Sequence, residues 1–129
     1  MGNKRTLSVN FKNSHKRSAP EDEFARQLFD AGFKDFLRNC RFIPARKFEA
    51  DFYFPKIRLA VEVDGGLWMA RGGHTSGVGA KRDRERDILA FLSGIVTLRV
   101  ATDHVKSGEA ILWLKEAIPL REREVNGDS

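Results

Sequence analysis

The chain has 129 residues, 41% of them apolar and 32% charged, which suits one domain with a buried core. One cysteine, Cys40, and three histidines exclude an internal disulfide and a cysteine-rich zinc site, so any metal must be held by oxygen. A formal net charge of +5 favours a polyanionic partner. No apolar run reaches the length of a membrane span, and no apolar stretch follows the first basic residues as in a signal peptide, so a cytoplasmic protein is expected.

Residues 1–17 hold Lys4, Arg5, Lys12, Lys16 and Arg17 and no acid, the pattern of a basic, flexible N-terminal arm; a solvated tail and an arm that contacts DNA are both open. Ser18-Ala-Pro-Glu21 has the form of a capping box, and Phe24, Leu28 and Phe29 then recur at helical spacing, predicting a helix over about 19–31. Residues 36–42 and 48–54 read as strands closed by Pro44 and Pro55, with the hairpin turn about Lys56. Residues 58–64 form the clearest strand, with Leu59, Val61 and Val63 on one face and Ala60, Glu62 and Asp64 on the other. The glycines from Gly65 to Gly79 predict a long loop. Lys81 to Ser93 reads as an amphipathic helix closed by Gly94, residues 95–101 as a buried strand, and 103–118 as a last helix. The segment after Pro119 reads as a charged tail. The expected organisation is an arm over 1–17, a folded domain over 18–120 and a tail over 121–129. The order α-β-β-β-α-β-α describes an α/β sandwich around a small mixed sheet.

Acidic side chains in the middle of an apolar strand call for an explanation. Glu62 and Asp64 share a face, and a tight hairpin brings Asp51 of the preceding strand within reach of Glu62. Three converging carboxylates repel one another unless a cation lies between them, and oxygen ligands suit Mg²⁺ or Mn²⁺. Alternatively, the acids lie on the solvated face of an edge hairpin and pair with Lys47, Lys56 or Arg58. Spacing leaves both readings open.

The run Asp51-Phe-Tyr-Phe-Pro-Lys-Ile-Arg-Leu-Ala-Val-Glu62-Val63-Asp64-Gly65-Gly66-Leu67-Trp68 resembles the core of the very-short-patch-repair-like (Vsr-like) nucleases and their small phage and bacterial relatives, within the PD-(D/E)XK, or restriction-endonuclease-like, superfamily. Glu21 with Phe24 and Leu28 resembles the family's first helix, whose glutamate joins the metal site. Arg71 to Gly79 followed by Asp83, Glu85 and Arg86 resembles a loop and helix of phage-encoded members, and Leu98-Arg99-Val100 with Val105 to Ala110 resembles the closing strand and helix.

The resemblance implies a metal-dependent DNA endonuclease, phage or prophage encoded, acting in recombination, repair or genome processing. It would be a nicking or structure-specific enzyme, with four-way junctions as one substrate and a homodimer as one assembly. Asp51, Glu62, Asp64 and the carbonyl of Val63 would hold Mg²⁺ or Mn²⁺, with Glu21 as a further catalytic candidate.

The superfamily's usual lysine, two positions after the second acid, is Asp64 here. Lys81 or Arg86 would then supply positive charge near the scissile phosphate, and His74 a general base or a phosphate contact. His74 as a plain loop histidine, Arg86 paired with Asp83, Arg82 paired with Glu85, and Glu21 as a cap alone are the structural alternatives. Arg71, Lys81, Arg82, Lys16 and Arg17 are the candidate DNA contacts, with Trp68 either against a base or packed in the core. The very-short-patch-repair enzyme's zinc-binding cysteines and the histidines after its tryptophan are missing, Met69 and Ala70 standing in the latter place, so mismatch-specific repair is not expected. Two other classes stay open, a catalytically inactive DNA-binding protein with a nuclease fold and an RNA-directed nuclease.

Overall fold

A computed structural model describes residues 18–65 and 77–127. Helix α1 (Ala19–Asp30) begins at Ser18, whose side chain accepts the N–H of Glu21 at 3.3 Å. That bond satisfies one of the donors a helix start leaves open, and Glu21 and Asp22 suit the positive end of the helix dipole. The helix buries Glu21, Phe24 and Leu28 as one stripe.

Strands β1 (Leu37–Arg41), β2 (Glu49–Phe54), β3 (Leu59–Asp64) and β4 (Val96–Ala101) form one sheet in that order. The first three are antiparallel, while β4 lies parallel to β3. A parallel neighbour requires a crossover, and helix α2 (Gly77–Leu92) lies on it. A short 3₁₀ turn, Pro55–Ile57, closes the β2–β3 hairpin, with Arg58 in the left-handed region at φ 48°. Helices α3 (Thr102–Ser107) and α4 (Glu109–Asn126) complete the fold. The α/β class and the small mixed sheet agree with the expectation from sequence.

Both faces of the sheet are covered. On one, Phe52, Val61 and Val63 pack with Phe24 and Leu28 of α1, Val105 of α3 and Leu114 and Ile118 of α4. Phe24 meets Phe52 edge-to-face, ring centroids 5.5 Å apart, the arrangement that the ring quadrupoles favour. On the other, Ala60 packs with Ala90 of α2, Ile95 and Phe42. The small side chains of Ala60 and Ala90 let that helix lie close to the strand. Residues Leu59 to Val63 are therefore all buried, and a polar side chain among them is enclosed by α2.

Three details depart from the sequence expectation. Helix α2 starts at Gly77, inside the segment expected as loop; a glycine weakens a helix by about 1 kcal/mol without forbidding it. The last helix is two, because Gly108 at φ +87° breaks the path between α3 and α4. And α4 runs through Pro119 to Asn126, where a charged tail was expected. An interior proline costs about 3 kcal/mol. Here Leu114 and Ile118 before it are buried, and Arg121 after it donates to the carbonyls of Ile57 and Gly94, both at 2.8 Å. Those anchors hold both halves of the helix in place.

Candidate active site

The β2–β3 register pairs Phe52 with Val61 and Tyr53 with Ala60, so the next positions along the two strands are Asp51 and Glu62. Directly opposed antiparallel residues project to the same face, here the face that α2 covers. Asp51 uses a carboxylate oxygen as a backbone acceptor: its Oδ2 takes the N–H of Val63 at 2.8 Å. That bond ties the carboxylate to β3. Both acids are buried, Asp51 9% and Glu62 7% exposed, while Asp64 at the strand end is exposed.

From α2, Arg86 reaches down to Glu62, its Nη1 lying 3.2 Å from Oε1. The same guanidinium lies 3.7 Å from Asp83. This is a buried pair, its side chains 13% and 9% exposed. Only one bond is made between them. Among the described residues, Glu62 Oε2 and Arg86 Nε are both buried without a hydrogen-bond partner. An unmet buried donor or acceptor costs about 1–3 kcal/mol, so the pair carries a strain that a suitable ligand would relieve.

Burial pushes the Glu62 carboxyl up to about 7; the neighbouring Arg86 guanidinium opposes the shift, Asp51 adds to it, Arg99 opposes it and Asp64 adds to it. Arg99 faces Glu62 in the β3–β4 register and binds Asp87 of α2 at 2.6 Å. Helix and sheet are thus joined by a reciprocal pair of bridges: arginine from the helix to glutamate on the strand, and arginine from the strand to aspartate on the helix. Sequence reasoning missed Arg99 and Asp87, although a charged residue inside the apolar run 95–101 was the available signal.

The structure brings Asp51, Glu62 and Arg86 together. It does not make a three-carboxylate cluster: Asp64 is exposed, and among the described residues no group of three or more histidine, cysteine, aspartate and glutamate side chains is arranged to hold a metal. The solvated-hairpin alternative fails for Asp51 and Glu62, because α2 covers their face. Two of its partners are engaged elsewhere, Lys56 with Asp35 at 3.7 Å and Arg58 with the carbonyl of Gly94 at 3.3 Å. Glu21 is buried in the stripe that α1 turns to the sheet's other face. Lys81 is exposed and lies 3.8 Å from Glu85. Arg82 does not pair with Glu85 but lies over the ring of Phe48, 5.3 Å from its centroid. Trp68, Arg71, His74, Lys16 and Arg17 lie outside the described residues.

No protein-family model and no curated protein matches the chain. Among solved structures, the catalytic domain of the homing endonuclease I-Bth0305I is similar, with a TM-score of 0.62 at 14% identity over 81% of this chain and 98% of that domain. At that identity the likeness is one of fold: this chain spans a whole nuclease catalytic domain's architecture.

Proposed function

We propose that the protein is a metal-dependent endonuclease that hydrolyses phosphodiester bonds in DNA, a Vsr-like member of the PD-(D/E)XK superfamily acting in recombination, repair or genome processing. The observation that carries this reading is the buried pair at the β2–β3 splay: Asp51 beside Glu62, with Glu62 Oε2 unpartnered. The fold likeness to a homing endonuclease catalytic domain supports it.

The donor set fits a hard divalent cation, since an orphaned carboxylate oxygen beside a second, fixed carboxylate is what Mg²⁺ or Mn²⁺ coordination uses. Asp51 and Glu62 would hold the ion, with the Val63 carbonyl as a further oxygen. When bound, such an ion lowers the pKa of a water and offsets charge on the phosphate.

The chain's own groups do the positioning. The Val63 N–H orients Asp51. Arg86 holds Glu62 in place and sets a guanidinium charge beside the carboxylates. That assigns Arg86 the positive charge that the superfamily places at the position of Asp64.

A second reading has a specific observation behind it. The Arg86–Glu62 bridge already neutralises the site, as it would in an inactive protein that binds DNA and does not cut it. One assay separates the two: labelled linear duplex, flap, four-way junction, single-stranded DNA and RNA, each with Mg²⁺, Mn²⁺ or EDTA. Metal-dependent cutting of a DNA substrate is expected. Binding without cutting in either metal contradicts the nuclease, and cutting confined to RNA contradicts the DNA assignment.

A further inference from the structure

The β1–β2 connection reads from sequence only as the link between two strands. It carries Arg46 and Lys47, both exposed, follows the exposed Arg41 at the end of β1, and has no acidic residue before Glu49. Ala45 sits in the left-handed region at φ +63° without being a glycine, and Arg46 donates its N–H to the carbonyl of Ile43 at 3.1 Å. Strained backbone of this kind persists where the surroundings impose it and concentrates at functional sites. Beside it, Arg46 and Lys47 form an exposed basic ridge that lines two open clefts.

Arg82 of α2 closes the nearer cleft. Arg46 and Arg82 both lie over the ring of Phe48, at 5.6 and 5.3 Å from its centroid, so two guanidinium groups are held by one aromatic ring. Glu85 also lines the cleft, but its carboxylate lies within ion-pair distance of Lys81, at 3.8 Å. Among the described residues, Arg41, Arg46, Lys47 and Arg82 make no ion pair; other unpaired cations, such as Lys34, Lys106 and Lys115, lie on other elements, and Arg26, Arg38, Arg86, Arg99 and Arg121 each have an acidic partner. Clustered cations without internal anions suit an external one.

Position selects the anion. Arg82 and Arg86 are four apart on one helix, so they share a face about one turn apart, and Arg86 is the residue that touches Glu62. The basic ridge therefore adjoins the carboxylate site. Phe48 is half-buried and already engaged by two guanidinium groups, which leaves it unsuited to stacking on a base. The chemistry on offer is recognition of backbone phosphate.

We propose that Arg46, Lys47 and Arg82 form a phosphate clamp that holds the backbone of duplex DNA next to the carboxylate site, without reading its sequence. This deepens the nuclease reading and rests on it for the identity of the polyanion. The test is binding of two unrelated fluorescent duplexes in EDTA, so that no cutting is needed, across a range of salt concentrations. Each phosphate that the protein no longer neutralises lowers the slope of log affinity against log salt by about 0.9. The Arg46→Gln, Lys47→Gln double variant is expected to lower it by about 1.8, equally on both duplexes. A charge-keeping Arg46→Lys, Lys47→Arg variant is expected to retain the slope, and so is Lys115→Gln on the exposed side of α4. An unchanged slope in the neutral variant, or a reduction confined to one duplex, overturns the clamp even if the wild-type protein cuts DNA. A reduced slope in a protein that never cuts DNA supports the clamp while the nuclease reading fails.

Discussion

Arg86 and Glu62 decide the energetics of the site. Removing one member of a buried ion pair leaves the other charge unpaired and costs about 3–5 kcal/mol. Arg86→Met is therefore expected to lower the denaturation midpoint strongly at alkaline pH, and the Arg86→Met, Glu62→Gln double variant to recover most of the loss. A double variant no more stable than Arg86→Met would show that the two side chains are not coupled. The Glu62 carboxyl, raised by burial to about 7 from an ordinary 4.5, sets a second expectation. The folded state holds this proton more tightly than the unfolded chain, so the group favours folding at low pH, and that contribution is lost as pH rises through about 7. Wild-type protein in EDTA should lose stability across this window relative to Glu62→Gln; parallel pH curves for the two proteins would contradict the raised carboxyl. The pattern of acids in an apolar strand singled out Asp51 and Glu62, but spacing left a solvated hairpin equally open, and only the packing of α2 buries both. The Arg86 bridge was less legible: its pairing with the helix neighbour Asp83 is local and was among the alternatives, but its hydrogen bond to the strand glutamate depends on how α2 docks.

At the scale of elements, the strands were legible because period-two patterning and the prolines at their ends act locally. The C-terminal helices were not. Gly108 and Pro119 are both punctuators of a helix, and local pattern alone does not rank one above the other. Gly108 does break the path, its φ of +87° being open to glycine at little cost. Pro119 does not, because distant anchors, Arg121 on the carbonyls of Ile57 and Gly94, outweigh the missing hydrogen bond. Pro119→Ala restores an interior N–H and is expected to raise stability by about 1–3 kcal/mol in urea titration, with no change in DNA binding. A destabilised Pro119→Ala protein would mean that the bend at this position is needed for packing on the sheet. The reciprocal bridges of α2, Arg86 to Glu62 and Arg99 to Asp87, show why its docking was hidden. Each joins residues far apart in the chain.

In the whole molecule, the sheet is covered by α1, α3 and α4 on one face and by α2 on the other, and the carboxylates lie under α2 where β2 and β3 diverge. The basic ridge of the β1–β2 connection adjoins the same face. A charge of +5 spread over the chain says little, but cations grouped beside buried acids suit a polyanion whose backbone is brought to a reactive group.

The central claim is that Asp51 and Glu62 serve DNA cleavage. The most direct measurement is the rate of metal-dependent cutting of the preferred DNA substrate by the wild-type, Asp51→Asn and Glu62→Gln proteins, with folding and DNA affinity measured on the same samples. The account predicts that each variant folds, binds DNA and loses at least about a hundredfold in rate. Cutting at the wild-type rate by either variant would contradict it.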